Sequence, residues 1–246
     1  MSDNTNLDIS ILERAVAGFD LVLTDTQKQS FLTYYQLLIE WNSFMNLTAI
    51  TEMDEVIMKH FVDSVSLIQA VPDLAKKDYS LIDIGTGAGF PGIPLKIVFP
   101  DLKITLLDSL NKRIKFLNQV ILDLSLNNIS ALHGRAEDLA QQKEYREHYD
   151  FCVSRAVANL ATLSEYCLPF VKKKGYFISY KSEKITEEYE QAKKAIKILG
   201  GNYKNQVEFY LPQSDIYRNL FIIEKIDVTP KKYPRKAGMP SKEPII

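Results

Sequence analysis

A glycine-rich segment at residues 81–92 constrains the fold of this chain more than any other feature. It reads Leu-Ile-Asp-Ile-Gly-Thr-Gly-Ala-Gly-Phe-Pro-Gly, so glycines at positions 85, 87 and 89 follow an apolar run. Glycines let the backbone turn sharply and let a ligand approach the main chain. A turn of this kind at the carboxyl end of the first strand of a parallel sheet is where nucleotide-like cofactors bind. The segment therefore predicts a strand, a ligand-binding loop and the start of a helix.

The spacing of this loop separates it from two common phosphate-binding patterns. Phe90 stands where the dinucleotide fingerprint Gly-x-Gly-x-x-Gly has its third glycine. No Lys-Ser or Lys-Thr pair follows the loop, which argues against a triphosphate-binding P-loop. Alone, a plain tight turn explains the glycines as well as a binding site does, and the position between strand and helix favours the site. An NAD-dependent oxidoreductase is a weaker alternative, since Phe90 breaks the fingerprint and no catalytic His or Tyr-Lys pair is evident.

The remaining sequence predicts an α/β fold. Residues 8–70 have helical apolar spacing, and Thr24 with Gln27 resembles a capping box. From residue 80, strand-like and helix-like runs alternate, which is typical of a doubly wound, Rossmann-like sheet. The strand-like runs are 80–84, 104–107, 128–132, 149–154, 175–180, 207–211 and 219–225, and the helix-like runs are 89–99, 110–126, 160–171 and 184–199.

Three parts of the chain are expected. Residues 1–72 form an N-terminal helical subdomain, and residues 73–228 form a mostly parallel sheet with its last strand antiparallel, because no helix fits between the last two strand-like runs. Residues 229–246 form a tail that is rich in Pro, Gly and Lys and is expected to be irregular.

Charge is uneven along the chain although its net value is −1. The net charge is −7 over residues 1–70, −1 over residues 71–170 and +7 over residues 171–246. A chain polarised in this way can present a basic face to a polyanion. From charge alone, a solvated Lys-rich surface explains the pattern slightly better.

The composition argues against several other classes of protein. Two cysteines and three scattered histidines give neither a disulfide framework nor metal-ligand spacing, so no metal is expected. No apolar run approaches the roughly 20 residues of a membrane span, and the first residues are polar and acidic rather than signal-like. These features predict a protein of the reduced cytoplasm that does not bind membranes.

Two further segments predict an adenosine site. Asp108 ends the second strand-like run, 19 residues after Gly89, where an acidic side chain accepts hydrogen bonds from ribose hydroxyls. Asp108 could instead cap the next helix, but Ser109 could do so equally well and leave Asp108 for the ligand. Ala136 and Glu137 follow the third run and can bracket an adenine edge. When they are considered alone, an acidic helix N-terminus explains them better. Beside the glycine loop and Asp108, the ligand role is favoured.

Basic residues predict anionic partners at the same edge of the sheet and in the tail. Arg155 follows the fourth strand-like run, and its partner would be the cofactor carboxylate, Asp83, an RNA phosphate or a purely structural carboxylate. Lys172–Lys174, with Lys181 and Lys184, fit RNA binding and a solubilising surface equally. The tail run Lys-Lys-Tyr-Pro-Arg-Lys at 231–236 has little apparent structural reason, so phosphate binding and base stacking are favoured.

Together these segments resemble the RsmG (GidB) family of bacterial 16S ribosomal RNA guanine-N7 methyltransferases. The likeness extends from about residue 20 to the C-terminus. It is carried by residues 83–92, by Asp-Ser-Leu-Asn-Lys-Arg (108–113), Gly-Arg-Ala-Glu (134–137), Ser-Arg-Ala-Val (154–157) and the tail run, with Asn-Leu-Thr (46–48) and Lys-His-Phe-Val-Asp-Ser (59–64) resembling its N-terminal signature.

The resemblance implies a class I methyltransferase fold and S-adenosyl-L-methionine as cofactor. It implies methylation of guanine N7 at position 527 of 16S rRNA in the small ribosomal subunit. The implied cofactor-binding residues are Asp83, Gly85, Gly87, Gly89, Phe90, Asp108, Ser109, Leu110, Ala136, Glu137 and Arg155. The candidate RNA-binding residues are Lys112, Arg113, Lys181, Lys231, Lys232, Tyr233, Arg235 and Lys236.

The chemistry of this reaction needs no general base. Guanine N7 has a free lone pair and no proton to lose, so alignment of the reacting groups can supply most of the acceleration. We therefore expect no catalytic residue in the strict sense, and positioning by Arg155. A non-catalytic RNA-binding or ribosome-assembly protein with a vestigial cofactor site is the alternative, and the intact glycines and Asp108 argue against it.

Overall fold

The computed structural model describes residues 8–155, 158–183 and 185–246. In this part of the chain seven strands form one sheet. The strands are β1 (Ser80–Ile84), β2 (Lys103–Asp108), β3 (Ile129–His133), β4 (Tyr149–Ser154), β5 (Val171–Lys181), β6 (Gly201–Tyr210) and β7 (Tyr217–Lys225). Their order in the sheet is β3-β2-β1-β4-β5-β7-β6. Strands β1 to β5 are parallel, and β7 pairs antiparallel with both β5 and β6. The predicted mostly parallel, Rossmann-like sheet is confirmed.

Helices cover both faces of this sheet. A π-helical turn, Ile57–Val62, joins two short helices at Met53–Val56 and Asp63–Val65, and 3₁₀ turns follow at Ser66–Gln69 and Leu168–Phe170. The α-helices are α1 (Ser10–Ala17), α2 (Asp25–Met45), α3 (Met53–Val56), α4 (Asp63–Val65), α5 (Gly92–Val98), α6 (Asn111–Asp123), α7 (Ala136–Leu139), α8 (Leu160–Cys167), α9 (Thr186–Ile198) and α10 (Met239–Lys242).

The N-terminal helices pack on the sheet through a shared core. Helix α2 begins with the predicted capping box, in which Thr24 and Gln27 satisfy each other's backbone N–H groups. Its Phe31, Tyr34 and Leu38 are fully buried in a cluster that continues into β1, α5 and α6. A second cluster on the opposite face is formed mainly by α8, α9 and the strands beneath them. The division of the chain at residue 72 stays a prediction.

The strand boundaries show what apolar periodicity misses. Strand β5 begins at Val171, four residues before its predicted start, because Lys172–Lys174 are exposed strand residues. Strand β6 begins at Gly201 rather than 207, because it is an edge strand whose first residues are mostly polar and exposed. The predicted helix at 160–171 ends as α8 at Cys167 and passes into the 3₁₀ turn that contains Pro169.

The tail is largely irregular, as expected, but it has a structural role. It contains α10, and the Arg235 guanidinium and backbone N–H both bond to the buried Glu165 carboxylate. The inference that the charged residues of the tail lack a structural reason is therefore wrong for Arg235. Among the residues that the structure describes, no helix is long and apolar enough to cross a membrane.

Candidate active site

The glycine loop after β1 needs its glycines for different reasons. Gly85, Gly87 and Gly89 all have positive φ, at 71°, 63° and 100°. A Cβ on Gly89 would lie 2.5 Å from the Ile93 side chain and 2.8 Å from the Tyr34 hydroxyl, whereas one on Gly87 would meet little. Gly89 therefore permits helix α2 to pack against the loop, and Gly87 supplies backbone conformation.

The side chain of Asp83 stabilises this loop through hydrogen bonds. It is fully buried, and its Oδ2 accepts hydrogen bonds from the Thr86 hydroxyl (2.7 Å) and the Gly92 backbone N–H (2.9 Å). Burial raises the pKa of this carboxyl to about 6. Its Oδ1 makes no hydrogen bond to the described residues. The side chain thus shapes the loop, and it does not line either of the clefts described below.

A first cleft, of about 500 Å³, lies at the carboxyl ends of β1, β2 and β4. This is where the strand order reverses between β1 and β4, the usual ligand-binding position of such sheets. Of the predicted cofactor residues, its walls include Gly85, Asp108, Ser109, Leu110, Ala136 and Glu137. Lining residues that the sequence did not assign to the cofactor are Ile84, Leu107, Arg113, Gly134, Arg135, Ser154, Ala158, Leu163, Tyr166 and Gly238.

Asp108 is the most heavily bonded acid of the first cleft. Its side chain is 2% exposed. Oδ1 accepts from the Leu110 backbone N–H (2.9 Å), and Oδ2 accepts from the Gly87 N–H (3.0 Å) and from Arg113 Nη1 (3.0 Å). Neither of the two cap candidates, Asp108 and Ser109, caps the next helix, since α6 begins after Leu110 without a side-chain cap. A carboxylate has about four acceptor positions, so these three bonds leave room for a ribose hydroxyl.

Glu137 forms the far wall together with the tail. It is the second residue of the short helix α7 and is 7% exposed. Its Oε1 accepts a hydrogen bond of 2.8 Å from the Gly238 backbone N–H, and Gly238 itself lines the cleft. The tail therefore belongs to the first cleft, a role that the sequence did not indicate.

A second cleft, of about 570 Å³, adjoins the first at Ala158. Asp63 lines this cleft, and its side chain is 4% exposed and lies between two arginines. Arg155 Nη1 donates to Asp63 Oδ2 (3.0 Å), and Arg218 Nε donates to Oδ1 (2.7 Å). The other lining residues are Ile50, Lys59, His60, Ala158, Asn159, Tyr180, Lys181, Ser182, Glu183 and Glu188.

Arg155 is held against an aromatic ring. Its guanidinium carbon lies 5.0 Å from the Phe90 ring centroid, and Nη1 also donates to the Lys59 carbonyl (3.0 Å). Of the partners considered from the sequence, the structural carboxylate applies in this structure, and it is Asp63 rather than Asp83. Ala156 and Val157, which complete the predicted motif, lie outside the described residues.

His60 is a site residue to which the sequence assigned no chemistry. Its ring stacks on Phe90 with centroids 4.5 Å apart and planes at 22°. Nε2 lies 2.9 Å from the Thr48 hydroxyl, and Nδ1 lies 3.2 Å from Arg155 Nη2. Burial, and then the Arg155 charge, lower the pKa of His60 to about 4, so its imidazole is neutral at neutral pH. The only sequence signal was its place in the segment 59–64.

The predicted RNA-binding residues fall into two groups. Four have partners within the protein: Lys112 Nζ donates to the Met45 carbonyl (2.8 Å), Arg113 to Asp108, Lys181 to Glu188 (2.7 Å), and Arg235 to Glu165. The tail residues Lys231, Lys232 and Lys236 are exposed, and Tyr233 is half-buried. Lys184 lies outside the described residues, and among those described no group of His, Cys, Asp or Glu could hold a metal ion.

Solved structures with a similar backbone share only the fold with this chain. M. jannaschii TYW2, solved in complex with AdoMet, is 15% identical with a TM-score of 0.50, over 67% of this chain and 77% of that one. A Methanococcus maripaludis protein assigned as an S-adenosyl-L-methionine-dependent methyltransferase is 19% identical with a TM-score of 0.52, over 71% and 91%.

Sequence relatives establish the family. The protein called ribosomal RNA small subunit methyltransferase G in Lachnoclostridium phytofermentans is 56% identical over 97% of this chain and 98% of its own length. Its namesake in Acetivibrio thermocellus is 54% identical over 96% of both chains. The family model described as GidB, rRNA small subunit methyltransferase G, matches residues 27–217. The resemblance seen in the sequence is confirmed, and the chain belongs to the GidB family.

Proposed function

We propose that this protein transfers a methyl group from S-adenosyl-L-methionine to guanine N7 at position 527 of 16S rRNA in the small ribosomal subunit. The observation that carries the proposal is the meeting of two clefts at Ala158, on the carboxyl edge of the sheet. The names of the relatives support an rRNA of the small subunit as substrate. Such a substrate also supports action in the cytoplasm.

The first cleft suits the adenosine part of the cofactor. Its volume falls within the usual range for small-molecule sites, roughly 300–1,000 Å³. Asp108 would accept from a ribose hydroxyl, and Ala136 with Glu137 would hold the adenine. Gly85 would let the cofactor approach the main chain at the end of β1. When bound, the sulfonium of this cofactor supplies an electrophilic methyl group.

The second cleft suits the acceptor base. Guanine presents O6 and N7 as hydrogen-bond acceptors, and arginine is their commonest partner. Arg155 or Arg218 can donate to O6 and leave the N7 lone pair for the methyl group. Because Asp63 fixes both guanidinium groups, their direction is set before the base enters.

The electrostatics of the second cleft fit a reaction without a general base. The low pKa of His60, about 4, makes its imidazole a poor proton acceptor at neutral pH. Guanine N7 has no proton to remove, so such a group is not needed. The proposed roles of His60 and Phe90 are therefore to form a rigid stacked surface beside Arg155.

The test is the methylation state of position 527 in a strain that lacks the gene. We expect mass analysis of its 16S rRNA to show the loss of one methyl group, which returns in full on complementation with the wild-type gene and less completely with Asp108→Asn. Purified protein should transfer radiolabelled methyl to naked 16S rRNA, to a precursor particle or to the small subunit isolated from that strain. Unchanged methylation in the deletion strain would refute the proposed substrate. Loss of methylation with no transfer by the purified protein to any of the three would favour the assembly-factor alternative.

A further inference from the structure

The tail follows a fixed path over the helices beside the first cleft. Its backbone carbonyls accept hydrogen bonds from side chains elsewhere in the fold. These bonds take the place of the backbone hydrogen bonds that a helix or strand would provide. Arg146 donates to the Thr229 carbonyl (2.7 Å) and the Tyr233 carbonyl (3.0 Å). Farther along, Gln141 donates to the Pro234 carbonyl (2.9 Å), and the Thr162 hydroxyl donates to the Pro240 carbonyl (3.0 Å).

The tail is also held by one of its own side chains, Arg235, which makes the most extensive of these contacts. Its guanidinium donates from Nε (3.0 Å) and Nη2 (2.7 Å) to the two oxygens of Glu165, and its backbone N–H donates to the same carboxylate (2.7 Å). The Glu165 side chain is 1% exposed on α8, so removal of Arg235 leaves a buried charge without its partner. The paired arrangement of donors is specific to arginine. Lys236, the next residue, is exposed.

Three residues after Arg235, the tail enters the first cleft. The Gly238 backbone N–H donates to Glu137 Oε1 (2.8 Å), and Gly238 and Tyr166 line the cleft beside Glu137. Gly238 has a φ of 84°, a conformation that turns the chain at this point and that glycine adopts readily. The same segment that is anchored at Glu165 therefore completes the wall on the Glu137 side.

We propose that the tail is the adenine-side wall of the cofactor site, and that Arg235, through Glu165, is a positioning residue that sets Gly238 against Glu137. The inference rests on the proposed function, because it takes the ligand of the first cleft to be S-adenosyl-L-methionine. It assigns Arg235 to the cofactor rather than to RNA. Lys231, Lys232 and Lys236 remain the RNA-binding candidates of the tail.

The test compares full-length variants of neighbouring tail residues by calorimetry with S-adenosyl-L-methionine. Arg235→Ala should raise the Kd for the cofactor about tenfold, and Arg235→Lys should raise it less, because lysine keeps the charge but not the paired donors. Lys242→Ala, an exposed change on α10, should leave the Kd at the wild-type value. In turnover assays, Arg235→Ala should raise KM for the cofactor, with kcat and KM for the ribosomal substrate unchanged.

A second measurement keeps the inference testable if Arg235→Ala folds poorly. The cofactor should slow hydrogen–deuterium exchange of the Gly238 amide in the wild-type protein, and should slow it less in Arg235→Lys. Equal cofactor Kd values for wild type and both Arg235 variants, with weaker RNA binding by Arg235→Ala, would make the tail an RNA arm and overturn this inference alone. A wild-type protein without affinity for the cofactor would overturn the proposed function as well.

Discussion

The two clefts meet at Ala158 but are assembled from the sequence in different ways. The first cleft is built largely from short segments that each follow a parallel strand: Gly85 after β1, Asp108 at the end of β2, and Glu137 soon after β3. Because parallel strands end at one edge of a sheet, the topology alone brings these residues together. Their grouping therefore follows from the order of strands and helices along the sequence.

The second cleft depends on packing between distant parts of the chain. Asp63 comes from the N-terminal helices, Arg155 from the end of β4 and Arg218 from β7. Helix α4 must dock on the sheet before these charges can pair. Contacts between the N-terminal helices and the sheet thus organise the second cleft, whereas strand order largely organises the first. The variants below test this difference.

The largest expected effect is the loss of stability in Asp63→Asn, which tests whether contacts with the N-terminal helices organise the second cleft. Asp63→Asn leaves two guanidinium groups facing a neutral side chain, and loss of one partner of a buried ion pair costs about 3–5 kcal/mol. We expect a loss of unfolding free energy near the lower end of this range, because Arg155 and Arg218 are 18% and 14% exposed. Urea denaturation measures it.

The control for Asp63 is Glu190→Gln, which removes an exposed partner of Lys193 and should change stability by less than about 1 kcal/mol. If Asp63→Asn were no more destabilising than this control, the ion pairs of Asp63 with Arg155 and Arg218 would not hold the second cleft together.

Asp108→Asn should affect the first cleft and spare the second. The substitution weakens a charged acceptor that three donors already share, and a hydrogen bond to a charged group contributes about 1.5–3 kcal/mol. We expect the Kd for S-adenosyl-L-methionine to rise by at least about tenfold. Calorimetry gives this value, and a filter-binding assay should show unchanged affinity for the ribosomal substrate.

The matched control for Asp108 is Asp138→Asn, on the exposed side of α7. Its cofactor Kd should equal that of the wild type. An equal loss of cofactor and RNA affinity in Asp108→Asn would show that the two clefts are not separable.

The fold and the residues of the first cleft could be predicted from the sequence better than the hydrogen bonds that those residues make. Asp108 and Glu137 were found because their positions follow from strand order. The partners of Asp108 were not, because the backbone N–H groups of Gly87 and Leu110 reach its carboxylate through loop angles that no residue pattern records. Gly238 was missed for a related reason, since hydrogen bonds from side chains to an irregular backbone have no periodicity.

The second cleft could not be predicted from spacing. Asp63 and Arg218 are 155 residues apart, and several carboxylates were possible partners for Arg155. His60 had no metal-ligand spacing and therefore no obvious chemistry. Its low pKa is a consequence of burial and of Arg155, both of which arise only after folding.

His60 predicts a moderate pH effect that belongs to the second cleft. The unfolded imidazole takes up a proton near pH 6.5, whereas in the folded protein it does so only near pH 4. Stability should therefore fall as the pH decreases from about 6.5 to 4, and His60→Gln should escape this loss. Between pH 7 and pH 5, the free energy of unfolding of the variant should fall by about 1–2 kcal/mol less than that of the wild type.

Asp83 acts in the opposite direction but does not disturb this comparison. Its raised folded pKa, about 6, lets the folded carboxyl bind a proton before the unfolded one, so it adds stability as the pH falls below about 6. Both proteins contain Asp83, and its contribution cancels in their difference. Parallel stability profiles for wild type and His60→Gln, measured by urea denaturation from pH 7 to 5, would contradict a buried neutral His60.

The smallest expected effect concerns the exposed tail lysines, which lie outside both clefts. Lys232 is exposed beside the Tyr233 ring, with its Nζ 5.3 Å from the ring centroid. If it contacts one phosphate, Lys232→Ala should weaken binding of the ribosomal substrate by only a few-fold. It should also reduce the slope of log Kd against log salt by about 1.

The control is Lys76→Ala, an exposed change near the amino end of β1, on the opposite side of the molecule from the clefts. It should change neither value. Because the tail is anchored through Arg235 rather than through Lys232, cofactor affinity should stay constant. A parallel loss of cofactor affinity in Lys232→Ala would mean that the tail moves as one unit, and that its RNA-facing and cofactor-facing sides cannot be varied independently.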